Sequence, residues 1–304
     1  MKALLSLLGL TALLAWTGPA QAVVNVFACH PEWGALASEI GGDRVSVYTA
    51  TTALQDPHKI QARPSLIARA RVADLVICTG AELEVGWMPV VIGQAGNDKI
   101  VAGKPGNLEA ANYVQLKEVP QRLDRSMGDV HPRGNPHIQW DPHNIQLVAD
   151  ELAKRLVYID PAGKAYYDSR LASFTQRWAE ATKRWEQEAT PLRGIPVIEH
   201  HKELTYLFDW LGMPVVGSLE PKPGVEPTSS HLTELVQQQS SRPAKLIVIT
   251  TQKNPDAAEW LSGHVKIPEI ALPQTVGGTP GAKDLFSMYD DAINRLLAAE
   301  KPKS

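Results

Sequence analysis

The sequence has little excess charge, few cysteines and, after its first residues, no long hydrophobic run. Its 304 residues include 30 Lys and Arg against 33 Asp and Glu, so the formal net charge is −3 and the pI is about 6.3. A chain without a basic field is poorly suited to bind a polyanion, and we expect no nucleic-acid partner. No segment after residue 22 is long and apolar enough to cross a bilayer, so we expect no membrane-inserted helix.

The first 22 residues have the three parts of a secretory signal peptide. Lys2 precedes an apolar run from Leu4 to Trp16, and Ala20-Gln21-Ala22 fits the small-x-small cleavage rule. We therefore expect cleavage before Val23 and export to a bacterial periplasm. The residue that follows the predicted cleavage site is not a cysteine, which argues against a lipid-anchored form.

Only two cysteines, Cys29 and Cys78, are present, and each stands at the end of an apolar strand-like run. If these two strands are neighbours in a parallel sheet, their ends lie close enough for a disulfide. A disulfide persists in the oxidising compartment that the signal peptide predicts. We therefore predict a Cys29–Cys78 disulfide. The alternatives are two buried free thiols or a thiolate metal ligand beside His30.

Apolar runs of strand length alternate with helical patterns in both halves of the mature chain. The first half predicts strands at 24–29, 45–49 and 75–78, and helices at 32–40, 64–70, 86–92 and 142–158. The second half predicts strands at 195–199, 215–217 and 246–250, and helices at 202–211, 230–239, 255–263 and 284–299. This β-α-β-α order indicates parallel sheets with helices on both faces, whose ligands collect at the carboxyl ends of the strands.

A long helix from about Ala162 to Ala189 is predicted between the two halves. Its apolar residues share one face, and core packing explains them better than a cofactor contact: Tyr167, Leu171, Phe174, Trp178 and Trp185. The helix would span about 40 Å and act as a rigid backbone. The predicted fold class is α/β, with two lobes, each a mainly parallel sheet flanked by helices, joined by one long rigid helix. The predicted divisions are a signal peptide (1–22), an N-terminal α/β lobe (23–160), a linking helix (161–190) and a C-terminal α/β lobe (191–304).

The segment before residue 142 is less regular. Residues 103–135 carry scattered glycine, proline and charge, which predicts a surface loop that includes His131. Residues 136–141 predict an edge strand or an extended loop. Asp141 is a suitable N-cap for the helix that follows.

Several histidines stand on short turns that are far apart in the sequence. Asp56-Pro57-His58, Asn135-Pro136-His137 and Asp141-Pro142-His143 share a proline step, and His200-His201 ends a strand-like run. An Asp-Pro step cannot continue a helix, so His58 is presented on a turn. Neutral imidazole is the commonest zinc ligand in proteins, although this spacing is neither of the CxxC nor of the HExxH kind. A metal site assembled from distant turns is one interpretation, and ordinary surface or core histidines are the other.

The chain resembles the zinc-type solute-binding proteins of ABC importers, the cluster A-I metal receptors, over nearly all of its mature length. The motifs that carry the resemblance are Asp56-Pro57-His58 with Arg63-Pro64-Ser65, Ala73-Asp74-Leu75-Val76 with Gly80-Ala81-Glu82-Leu83-Glu84, Asn135-Pro136-His137 with Trp140-Asp141-Pro142, His201-Lys202 with Tyr206-Leu207-Phe208 and Leu211-Gly212, and Glu220-Pro221 with Pro227-Thr228. The resemblance implies two lobes that close on a metal ion and a monomeric receptor that delivers the ion to a membrane permease without catalysis.

The resemblance also implies the ligands, which fall on His58, His137 and His201. The family's manganese receptors have a carboxylate at the third position, so a histidine there favours Zn²⁺. His200 is one residue away from the motif, and a frame error of one stays open. His143 falls where the family has no ligand.

The fourth ligand position departs from the family pattern. Residues 272–278 contain Gln274 and no carboxylate where the family usually has an aspartate. Gln274, a water molecule or a nearby Asp or Glu could fill the position. The family's long histidine- and acid-rich loop is also missing, and the segment before His137 offers only Asp124, Asp129 and His131.

Two other functions remain open at this stage. The protein could be a receptor for another divalent metal or for a metal complex, because its fourth ligand is missing. It could also be a zinc-dependent hydrolase with an open three-histidine site. No glutamate is spaced from a ligand as the general base of an HExxH motif is, which argues against the hydrolase.

Overall fold

The computed structural model describes residues 23–122, 124, 128 and 130–300. The predicted signal peptide, residues 1–22, and Asp129 lie outside the described residues. Among the described residues, none of the helices has the length and apolar character needed to cross a membrane.

The first lobe is a four-stranded parallel sheet in the order β2-β1-β3-β4. Its central strands, β1 and β3, are apolar and almost wholly buried, as expected for a parallel sheet covered on both faces. Its strands are β1 (Val24–Ala28), β2 (Val45–Thr49), β3 (Leu75–Cys78) and β4 (Asn107–Glu109), and its helices are α1 (Pro31–Gly41), α2 (Pro64–Arg71), α3 (Met88–Ala95) and α4 (Pro142–Ile159).

The second lobe repeats this arrangement with the strand order β6-β5-β7-β8, again all parallel. Its strands are β5 (Val197–Glu199), β6 (Val215–Ser218), β7 (Leu246–Thr250) and β8 (Glu269–Leu272), and its helices are α6 (Thr205–Leu211), α7 (Ser229–Gln238), α8 (Asp256–Val265) and α9 (Leu285–Glu300). In each sheet the second strand lies on one side of the first, and the third and fourth strands lie on the other side. Because all strands are parallel, their carboxyl ends lie along the same edge of the sheet, where ligands bind in such folds.

The long helix between the lobes is α5 (Lys164–Glu188), entered through a short 3-10 turn at Pro161–Gly163. Its 25 residues span about 37 Å. The aromatic face packs into the core as predicted: Trp178 contacts Trp185, Phe286 and Tyr289, and its ring nitrogen donates to the Pro142 carbonyl at 2.8 Å. The predicted fold class, two α/β lobes joined by one long helix, is confirmed.

A single hydrophobic cluster runs through both lobes. It includes Trp33 and Trp140 from the first lobe, Trp178 from α5, and Tyr206 and Tyr289 from the second. The cluster makes the interface between lobes part of the core, so the two halves are joined by apolar packing as well as by α5.

Two short strands and one turn differ from the sequence predictions. The predicted loop at 103–135 contains β4, and no strand was predicted where β8 lies. Residues 138–140, predicted as an edge strand or extended loop, form a buried 3-10 turn. β4 and β8 are edge strands of three and four residues, too short for a clear apolar pattern, and their backbone hydrogen bonds come from β3 and β7.

Cys29 and Cys78 are joined by a disulfide, as the two strand ends predicted. β1 and β3 are neighbours, and the two Cα atoms lie 4.8 Å apart. The disulfide ties together the carboxyl ends of the two central strands of the first lobe.

Candidate metal centre

The structure brings His58, His137 and His201 together. One ring nitrogen from each lies within 4.8 Å of the others. The ring centroids are 5.6 Å apart for His58 and His137, 6.0 Å for His58 and His201, and 5.6 Å for His137 and His201. The first two histidines belong to the N-terminal lobe and the third follows β5 in the C-terminal lobe, so the cluster lies between the lobes.

Short polar residues hold two of these histidines on their turns. The Asp56 carboxylate accepts a hydrogen bond from the His58 backbone N–H at 3.0 Å, and the Asn135 side-chain oxygen accepts from the His137 N–H at 2.9 Å. In both turns the side chain of Asp or Asn accepts from the backbone N–H two residues later, which is the usual role of these residues in turns. The hydrogen bond fixes the backbone conformation that carries the histidine. Asn135 also donates to the Lys202 carbonyl at 2.7 Å, which ties the His137 turn to the segment after His201.

The imidazoles of His58 and His137 are held in their neutral form. Burial, together with repulsion from His131, His201 and Lys253, lowers the pKa of His58 to about 3, although Asp56 opposes the shift. Burial and the neighbouring His201 and His58 lower the pKa of His137 well below its usual value. Within the described part of the chain, the Nε2 atom of His58 and both ring nitrogens of His137 are buried without a hydrogen-bond partner. Neutral imidazoles with free lone pairs are the form that binds a metal.

His201 is oriented by a carboxylate that the sequence did not single out as functional. Its Nδ1 lies 2.7 Å from Oε2 of Glu220, so Nε2 is the ring nitrogen left to bind a metal. Glu220 also accepts from the Gly224 N–H at 2.8 Å and lies 3.6 Å from the Lys253 ammonium. Burial alone would raise the pKa of Glu220, but His201 and Lys253 outweigh it and lower that pKa. A carboxylate behind a histidine fixes its tautomer and strengthens it as a ligand.

The other two candidate histidines lie outside the cluster. His200 is buried with Nε2 4.0 Å from Glu220, while the neighbouring His201 is the one that joins His58 and His137. His143 is largely exposed and its Nδ1 contacts the Asp141 carboxylate at 2.9 Å. Asp141 caps α4 as predicted, accepting from the His143 N–H. The same Asp-Pro-His phrase therefore gives the same local turn at residues 56 and 141, but only the first faces the cluster.

Gln274 lies at a small polar chamber next to His137. The chamber has a volume of about 20 Å³, and His30, Glu32, Gln139, Gln274 and His137 all line it. The side-chain oxygens of Gln139 and Gln274 are buried there and have no hydrogen-bond partner among the described residues. A volume of about 10–15 Å³ is enough for one water molecule.

His131 is nearer to the cluster than its assignment to a surface loop suggested. Its ring centroid lies 5.1 Å from that of His58, and it lines a cavity of about 230 Å³ together with His137 and His201. Apart from the residue type, no sequence signal indicated that this position lies near the cluster. The position of His131 is set by how an irregular segment folds, and residue spacing in such a segment does not predict which side chains meet.

Comparison with known proteins places the chain in a family. Residues 26–299 match the family described as "Zinc-uptake complex component A periplasmic". Among curated proteins, the manganese ABC transporter substrate-binding lipoprotein ScaA of Streptococcus gordonii is 25% identical over 57% of this chain and 53% of its own length. The metal ABC transporter substrate-binding lipoprotein FimA of Streptococcus parasanguinis is 22% identical over 72% of this chain and 70% of its own length. The first of these matches thus spans about half of the relative.

Solved structures show the same fold. A crystal structure of ZnuA superposes with a TM-score of 0.75 at 19% identity, covering 92% of this chain and 100% of the other. A manganese-bound periplasmic metal-binding protein from Candidatus Liberibacter asiaticus superposes with a TM-score of 0.74 at 16% identity, covering 91% and 100%. Because the family match extends over almost the whole of the described chain, the protein belongs to the ZnuA family of periplasmic metal-uptake components.

Proposed function

We propose that the protein is a receptor that captures Zn²⁺ with His58, His137 and His201 and delivers it to the membrane permease of an ABC importer. The observation that carries the proposal is the cluster itself, in which three ring nitrogens from two lobes lie within 4.8 Å of one another. Three imidazoles and one further ligand form the tetrahedral shell that zinc prefers. The ion is cargo, so the protein needs no catalytic group.

The donor atoms favour zinc over manganese. Imidazole nitrogen suits Zn²⁺, whereas carboxylate and carbonyl oxygen suit Mn²⁺. Several curated relatives are manganese proteins by name. In this chain the three clustered donors are neutral nitrogens, and Gln274 offers a neutral amide at the adjoining chamber. The donor set of this chain therefore supports Zn²⁺ as the proposed cargo.

A water molecule in the chamber is the fourth ligand that fits best. A metal-bound water presents two hydrogens, and the side-chain oxygens of Gln139 and Gln274, which have no partner in the described part of the chain, offer two acceptors beside His137. The Glu32 carboxylate, which lines the same chamber, already accepts a hydrogen bond from the Thr275 hydroxyl at 2.5 Å. Gln274 thus acts by holding the water, or binds the ion directly through its amide oxygen.

The proposed location is the periplasm, reached through cleavage of the signal peptide, and the proposed form is a monomer. Several relatives are lipoproteins by name. In this chain both cysteines are joined in the Cys29–Cys78 disulfide, so neither is free to carry a lipid. The membrane partner in this proposal is the permease that accepts the ion from the closed lobes.

Calorimetric titration of the metal-free protein tests the proposal. We expect one Zn²⁺ per chain, bound more tightly than Mn²⁺ in direct competition. The His58→Ala, His137→Ala double variant should lose the site, because one remaining imidazole cannot close the shell. His143→Ala, which removes an exposed histidine on the same Asp-Pro-His phrase, is the matched control and should bind normally. Full zinc stoichiometry in the double variant, or tighter binding of Mn²⁺ by the wild type, would contradict the proposal.

A further inference from the structure

A second group of side chains that could bind a metal lies at the carboxyl ends of β1 and β3 and includes none of the three clustered histidines. The sulfurs of Cys29 and Cys78 and a carboxylate oxygen of Glu84 lie within 4.8 Å of one another, and all three residues are buried. Met88, the first residue of α3, adds a third sulfur, because its thioether lies 3.9 Å from the Cys29 sulfur. Three sulfur atoms are thus packed together at the ends of β1 and β3.

The Glu84 carboxylate is already fully engaged by the protein. It accepts hydrogen bonds from the Thr79 N–H at 2.8 Å and the Gly80 N–H at 3.0 Å, and Nε2 of His30 lies 2.8 Å from it. The other ring nitrogen of His30 lies 3.2 Å from the Thr51 hydroxyl. Glu84 and His30 therefore anchor the turn after β3, and the donors left for a metal are the three sulfurs.

A cavity borders two of the three sulfur-bearing residues, Cys78 and Met88. It has a volume of about 530 Å³ and its walls include Cys78, Glu84 and Met88. Its outer wall includes Glu82 and Val85, which are exposed. A small thiol or a small metal complex can therefore reach Cys78 without unfolding of the lobe. A purely structural disulfide does not require such access.

We propose that reduction of the Cys29–Cys78 disulfide opens a soft-metal site in which the two thiolates and the Met88 thioether bind one Cu⁺ ion. Thiolate and thioether donors select Cu⁺ over harder divalent ions. Met88 lies in the same buried cluster as both cysteines, so its side chain is already positioned. The inference concerns a site distinct from the three histidines and does not depend on the proposed cargo.

The reaction balances with a dithiol as the reductant. One thiolate of the dithiol attacks the Cys78 sulfur from the cavity, forms a mixed disulfide and releases Cys29 as a thiolate. The second thiol of the reductant then attacks the mixed disulfide, releases Cys78 and leaves as an intramolecular disulfide. Two electrons and the two thiol protons of the reductant pass to the cysteines, which become thiols. Cu⁺ then binds with loss of two thiol protons to solvent and with no change in its own oxidation state.

Titration with Cu⁺, supplied as its bicinchoninate complex, tests the site. The full chain is used with His58→Ala, His137→Ala and His201→Ala, so that the clustered histidines do not contribute. One sample is reduced anaerobically with a phosphine and desalted, and a second stays oxidised. We expect one Cu⁺ per reduced chain, none in the oxidised chain, and a copper X-ray absorption spectrum with a first shell of sulfur.

Matched methionine variants identify the third ligand. Met88→Leu keeps the volume of the side chain and should weaken Cu⁺ binding by about tenfold or more, since changes even outside the first shell cost about that much. Met213→Leu removes an equally buried thioether in the other lobe and should have no effect.

Three results would overturn the proposal. The first is equal Cu⁺ binding by a Cys29→Ser, Cys78→Ser chain and by the reduced chain. The second is unchanged affinity in Met88→Leu. The third is loss of the far-UV circular dichroism of the native fold on reduction, because the site requires the folded lobe.

Discussion

Replacement of Glu220 by glutamine should weaken zinc binding although Glu220 is not expected to touch the ion. Glu220→Gln keeps the length of the side chain and an oxygen that can accept from Nδ1 of His201, 2.7 Å away, but removes the negative charge. A hydrogen bond to a charged group contributes about 1.5–3 kcal/mol. Loss of a residue that orients a ligand lowers metal affinity by about 10–100-fold, or about 1.4–2.7 kcal/mol. The two estimates agree, so the zinc Kd should rise by about 10–100-fold.

The charged groups around Glu220 should add to the loss of zinc affinity in Glu220→Gln. The Lys253 ammonium lies 3.6 Å from Glu220, and its charge is maintained against burial by the carboxylates of Glu203, Glu220 and Asp56. When the charge of Glu220 is removed, Lys253 loses one of these partners and repels the incoming cation more strongly. The change in affinity should therefore lie toward the upper end of the range.

Competition against a chromophoric zinc chelator at pH 7 measures the effect. Glu226→Gln changes an exposed glutamate on the same loop, residues 219–228 between β6 and α7, and should bind zinc as the wild type does. Urea unfolding of the metal-free variants shows whether the fold is intact. A folded Glu220→Gln protein with a Kd within about twofold of the wild type would refute the reasoning that His201 binds zinc and depends on this carboxylate.

Two further predictions concern the stability of the metal-free protein. Because His58 and His137 stay neutral in the folded state well below pH 6.5, only the unfolded chain takes up their protons, so stability should fall as the pH drops below 6.5. The loss due to His58 should continue to about pH 3, at about 1.4 kcal/mol per pH unit, and His137 should add to it in the same direction. Urea titrations at several pH values should show this slope in the wild type but not in a His58→Gln, His137→Gln variant, and equal slopes would contradict the assigned cause. Trp178→Ala should cost about 3–5 kcal/mol, because it empties the aromatic core between α5 and α9 and removes the indole N–H that donates to the Pro142 carbonyl. Trp260→Ala, at a side chain that is 38% exposed, should cost far less, and similar losses in both variants would show that α5 is not packed as described.

The sequence by itself determined the elements and their order. The apolar spacing of residues 162–189 predicted α5 to within two residues at either end, since helical spacing and the flanking prolines are local signals. The strand ends at Cys29 and Cys78 likewise predicted the disulfide, because neighbouring parallel strands end at the same edge. The edge strands β4 and β8 were missed because, at three and four residues, they are too short for a clear apolar pattern and owe their strand form to the backbone hydrogen bonds of β3 and β7.

Only the tertiary structure decided which side chains meet. Asp56-Pro57-His58 and Asp141-Pro142-His143 have the same local chemistry and the same capped turn, yet one imidazole enters the cluster and the other faces solvent. The tertiary structure also decided that His201 and not its neighbour His200 joins the cluster. It likewise decided that His131 lies beside His58. The physical reason is that sequence spacing fixes a turn, whereas the direction of a side chain across two lobes is set by how the sheets and α5 pack. Motif resemblance indicated His58, His137 and His201 in advance. Only the fold showed that these three side chains are close together, that the Glu220 carboxylate contacts His201, and that Gln274 lines a chamber.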